Sequence, residues 1–102
     1  MPGRFIVMVT KRISSIHSSQ LKEAQQELIS LASARHGVQR IQNFVGFNDN
    51  IYHIVSISEW QQKQDWHKWY NCKERISVIN KINKLDVDIT YLWKRKNDYP
   101  LL

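Results

Sequence analysis

The chain has 102 residues, 42% of them hydrophobic and 24% charged, with a formal net charge of +6, four tryptophans and one cysteine. This length supports one domain, 1–102, with a single core at about 4–95, and the apolar content excludes a disordered chain. Cys72 alone closes no intramolecular disulfide and supplies no Cys-rich zinc site, which points to a cytoplasmic protein. No stretch approaches the ~20 apolar residues of a membrane span, and the apolar run 5–9 is shorter than that of a signal peptide. Acids are interleaved among the basic residues, so the charge reads as solvated surface, with no nucleic-acid or membrane partner.

Residues 4–13, RFIVMVTKRI, read as a strand rich in Val, Ile and Phe. Residues 19–36 read as a helix, with Leu21, Ala24, Leu28 and Ala32 at three- and four-residue spacing. Ser18 or Ser19 is the expected N-cap, and Gly37 supplies a left-handed stop. Residues 39–47 and 51–60 read as a hairpin around Asn48-Asp49-Asn50. In its second strand Ile51, His53, Val55 and Ile57 share one face, and Tyr52, Ile54 and Trp60 the other. Residues 61–85 return to helical spacing in two pieces that break near Asn71-Cys72. The first carries Trp66, Trp69 and Tyr70; the second carries Ile76, Ile79, Ile82 and Leu85. Residues 86–96 alternate, with Val87, Ile89, Tyr91 and Trp93 on one side. The order βαββαβ predicts an α+β, ferredoxin-like domain: a four-stranded antiparallel sheet with both helices on one face.

A sheet covered on one side alternates cleanly. The first strand does not: Phe5, Ile6, Val7, Met8 and Val9 put apolar groups on both faces, and Leu92 stands opposite Tyr91 and Trp93 on the last. A homodimer packed sheet against sheet is the simplest cover for the open face.

The stretch EWQQKQDWHKWY (59–70) ends a strand with Trp60, opens a helix and repeats tryptophan at Trp69, while ARHGVQRIQNFVGF (34–47) ends a helix at Gly37 and enters a strand. Together these segments resemble the antibiotic biosynthesis monooxygenase superfamily, over roughly residues 4–95. The resemblance implies a dimeric α/β barrel. It further implies a cofactor-independent monooxygenase acting on a small aromatic or quinol substrate in a cleft within each protomer. It also touches a haem-degrading branch, whose tryptophan Trp69 matches. That branch's asparagine position falls near Lys11 and its histidine position near Ile79. With both residues replaced, the chain is read as working without a cofactor, haem binding being kept as an alternative.

His17, His36, His53 and His67 form no H-x3-H pair with acidic support, so no metal site is expected. His53 stands mid-strand among apolar neighbours. It is either a hydrogen-bonded structural residue or the base that deprotonates a phenol or quinol before oxygen attacks. Trp69 and Asn71 complete the candidate catalytic set, Asn71 orienting a carbonyl or else capping a helix. Trp66, Tyr70 and His67 are the candidate walls and rim of an apolar cleft, and Arg12 the candidate anchor for an anionic group. Two non-enzymatic readings stand beside this one. The first is a dimeric module that binds a small aromatic ligand or haem without turnover. The second is an RNA-binding sheet, for which the strand IYHIVSIS lacks the Arg/Lys-Gly-Phe-Gly-Phe pattern.

Overall fold

The computed structural model describes residues 4–95, with side chains through Tyr91; the expected contributions of Leu92, Trp93 and Lys96 lie outside the described residues and side chains. Four strands are formed, β1 (Phe5–Ser14), β2 (Val38–Asn48), β3 (Ile51–Trp60) and β4 (Asp88–Arg95). They join three helices, α1 (Ser18–Ser33), α2 (Lys63–Tyr70) and α3 (Lys73–Asn83). The sheet runs β2-β3-β1-β4 with every neighbouring pair antiparallel. This is the α+β, ferredoxin-like arrangement that the element order predicts, the second helix being split in two.

Alternation decides which side chains meet the helices. Phe5, Val7, Lys11 and Ile13 of β1 and Tyr52, Ile54 and Trp60 of β3 are all buried. All but Lys11 close on Leu21, Leu28 and Ala32 of α1, Trp66 and Trp69 of α2, and Val78 and Ile82 of α3 in one core cluster. Ile6 and Met8 take the opposite face, with Val55, Ile57 and, from β2, Phe44 in register beside them. Phe44 is 54% exposed and Met8 36% exposed. The open face is therefore apolar at its centre.

The ends of the helices depart from the sequence reading. A 3-10 turn, Ser15–His17, precedes α1, so His17 occupies the cap position and makes no side-chain cap hydrogen bond. Ser18 and Ser19 lie inside the helix. At its far end α1 stops at Ser33, because the Arg35 N–H reaches back only three residues to the Ala32 carbonyl (3.0 Å). Gly37 then takes φ +89°. A Cβ there would run into the Asp65 carboxylate, and the Gly37 carbonyl accepts the Gln61 N–H at 2.7 Å. The glycine thus joins the end of α1 to the start of α2.

The break between α2 and α3 falls at Asn71 and Cys72, as the spacing predicts. Cys72 caps α3, its Sγ accepting the Arg75 N–H at 3.4 Å. In α3, Arg75, Val78 and Ile82 face inward and Ile76 is 42% exposed. The apolar stripe read as Ile76, Ile79, Ile82 and Leu85 is corrected accordingly: an arginine, not Ile76, occupies its first buried position.

Candidate active site

Between the helices and the sheet lies a cavity of about 70 Å³. Trp60, Trp66, Trp69 and Tyr91 supply its aromatic wall, and Lys11, Gln25 and Arg75 its polar groups. Each arrives there by periodicity. Lys11 is two residues from Ile13 on the inward side of β1, Gln25 lies four residues from Leu21 on the buried stripe of α1, and Arg75 opens the buried stripe of α3.

The polar groups are connected. The Lys11 Nζ donates to Gln25 Oε1 at 2.8 Å. The amide nitrogen of Gln25 then donates to Ser56 Oγ (2.8 Å) and Asn43 Oδ1 (3.1 Å), and Ser56 closes the ring by donating to Asn43. Arg75 donates to the Tyr70 carbonyl at 3.0 Å and to the Tyr91 hydroxyl at 2.7 Å, and its guanidinium lies 4.2 Å from the centre of the Tyr70 ring. Lys11 is 4% exposed and Arg75 7%. Burial, and then the charge of Arg75, lower the Lys11 ammonium from its usual 10.5 to about 8. The lining includes no carboxylate and no imidazole.

The structure divides the residues singled out from the sequence into two groups. Trp66 and Trp69 line the cavity. Trp66 also borders an open groove of about 720 Å³ between α2 and β4, together with His67, Tyr70, Asn71 and Tyr91. Asn71 caps α2, its Nδ2 donating to the His67 carbonyl at 2.9 Å. His53 and Arg12 are not brought to the cavity. They stand opposite each other across β1 and β3 on the open face, because each alternates with a residue that points inward: Ile54 beside His53 and Lys11 beside Arg12. The His53 ring occupies the notch left by Gly46, where a Cβ would come within 2.7 Å of its Nε2. Lys11, Gln25, Ser56, Ser58, Arg75 and Tyr91 form the polar part of the cavity instead, with Asn43 bonded to Gln25 and Ser56 from outside its lining. Their signal in the sequence was polarity at inward positions.

No family model matches the sequence. Among solved structures, a candidate antibiotic biosynthesis monooxygenase of Nitrosomonas europaea superposes with a TM-score of 0.83 at 11% identity, covering 98% of this chain and 95% of that one. A mutant of SnoaB, a cofactor-independent oxygenase of Streptomyces nogalater, gives 0.74 at 11% identity, covering 88% and 90%. The chain shares the fold of these two proteins. The likeness is one of fold, which alone fixes no activity: the de novo designed protein Foldit4 has it too, with a TM-score of 0.66 at 12% identity over 91% of this chain and 98% of the design. In sequence, 62 residues are 36% identical to the RNA polymerase-associated protein RapA of Haemophilus influenzae; the match covers 55% of this chain and 7% of RapA.

The haem branch of this fold is not matched by the side chains present. Ile79, at that branch's histidine position, is apolar and packs against the core, and Lys11 stands where its asparagine would be. Among the described residues no three His, Cys, Asp or Glu side chains group as metal ligands, and no helix is long and apolar enough to cross a membrane.

Proposed function

We propose that this chain is a cofactor-independent monooxygenase of the antibiotic biosynthesis monooxygenase type. It would oxidise a small aromatic or quinol ring in the cavity between its helices and sheet. The observation that carries this reading is the cavity itself: three tryptophans and a tyrosine surround buried polar groups on a fold shared with a cofactor-independent oxygenase. Aromatic walls favour a flat ring by stacking. An aromatic-walled site suits an electron-rich ring that reacts directly with dioxygen. A quinol and dioxygen give a hydroxyquinone and water: one oxygen atom enters the ring, the other leaves as water, and the ring supplies every electron that dioxygen takes up. Trp69 and Trp66 hold the ring. His53 and Arg12, on the other face of the sheet, take no part in this scheme.

The test is dioxygen consumption with a panel of hydroquinones and naphthoquinols. The wild-type chain should exceed the enzyme-free rate, and Trp69→Ala should lower kcat/KM about tenfold while the fold persists. Consumption equal to the blank for every quinol contradicts the reading. A second reading, a binding module without turnover, gains support if ring ligands bind while consumption stays at the blank.

We further infer a cytoplasmic homodimer joined through the open sheet face. Its support is the apolar centre formed by Ile6, Met8, Phe44, Val55 and Ile57.

A further inference from the structure

Lys11 and Arg75 are both buried against the same cavity, and among the described residues neither makes an ion pair. Two cations withdrawn from water normally bring carboxylates with them. Here the available acids are elsewhere. Glu59 pairs with Arg4 and Glu27 with Lys81, and Asp65 is packed against Gly37.

The elements around the cavity contribute only three titratable groups to its lining: Lys11 from β1, Arg75 from α3 and Tyr91 from β4. The remaining polar groups there are neutral, namely Gln25 of α1 and Ser56 and Ser58 of β3. Gln25 takes one of the three protons of the Lys11 ammonium. The Tyr70 carbonyl and the Tyr91 hydroxyl take two of the five guanidinium N–H groups. Both cations therefore retain donor capacity, and the apolar wall around them includes three tryptophans and a tyrosine.

We infer that this cavity is an anion site, and that the ring it takes carries a single oxyanion, a phenolate or an arene carboxylate, held between Lys11 and Arg75. The inference rests on the oxygenase reading for its place in a reaction: a bound phenol would react with dioxygen as its anion. The binding itself does not depend on turnover. Trp66 and Tyr91 border both the cavity and the outer groove, so a ring lying in the groove reaches the cations once these two side chains part.

The experiment is a binding titration of the full chain under nitrogen, read by tryptophan fluorescence. Its first arm compares benzoate with benzamide, the same ring with and without charge. Its second compares 4-nitrophenol, whose anion has a visible absorption band of its own, with 4-nitroanisole. Benzoate should bind about tenfold or more tightly than benzamide, or bound 4-nitrophenol should show the anion band about one pH unit below where the free phenol shows it. A response in the first arm alone assigns a carboxylate, and in the second alone a phenolate. Lys11→Met should abolish the response and keep any affinity for the neutral rings. The inference is overturned if charged and neutral partners bind alike, if none of the four binds, or if Lys11→Met leaves the preference intact. Selective binding without dioxygen consumption would sustain the anion site and defeat the oxygenase. Consumption without any preference for anions would do the reverse.

Discussion

At the scale of single residues, Lys11 is where stability and function oppose each other. Its ammonium is buried, has a neutral hydrogen-bond partner in Gln25, and feels the charge of Arg75. Below pH 8 the group is protonated whether the chain is folded or unfolded, and the penalty of burying it is fully present. Between about 8 and 10.5 the unfolded chain holds more protons than the folded one, so stability should rise with pH across that window. Lys11→Met removes the charge and keeps the volume. Urea unfolding should find this variant more stable by about 1–3 kcal/mol at neutral pH, without the alkaline rise. A destabilised variant that keeps the rise would show that Lys11 is not the group responsible. The polarity of Lys11, Gln25 and Ser56 at inward positions follows from strand and helix periods; that of Arg75 does not, because the apolar spacing puts Ile76 in its place. Their meeting was not legible in the sequence, because it depends on the register of four strands and on the rotation of α3. Chemical type singled out His53 and Arg12, and strand parity puts both on the face opposite Lys11.

At the scale of elements, the strands, the hairpin and the interruption near Asn71 were readable because each has a local cause. Alternation marks the strands, positive φ at Asp49 the turn, and a cap the restart of α3. Boundaries were less readable where tertiary contacts decide them. Gly37 shows both sides of this. Its left-handed backbone follows from glycine at a helix end, but its proximity to the Asp65 carboxylate follows from the docking of α2. Alanine there would meet an unfavourable φ and a side chain in contact distance at once. Gly37→Ala should therefore cost roughly 2–4 kcal/mol in denaturant unfolding. Since α2 carries Trp66 and Trp69, the same variant should weaken ring binding. Wild-type stability in this variant would mean that the junction adjusts freely.

At the scale of the whole molecule, the element order and the two-sided apolar pattern of β1 lead to the ferredoxin-like sheet and to an exposed apolar face. A pair of chains meeting through that face would bury Met8, Phe44, Val55 and Ile57, each contributing roughly 1.5–3 kcal/mol before the cost of association. Val55 is central, in register with Thr10 on one side and Phe44 on the other. Sedimentation should give two chain masses for the wild type and one for Val55→Glu, whose carboxylate would be buried in the interface. A monomeric wild type at micromolar concentration contradicts the dimer. In either state the cavity lies within one chain, on the helix side of the sheet. The most direct test of its chemistry is turnover of a quinol under isotopically labelled dioxygen, followed by mass spectrometry of the product. The account predicts one labelled oxygen atom in the product ring and the other in water, and loss of both in Lys11→Met. An unlabelled product, or hydrogen peroxide formed in its place, would contradict it.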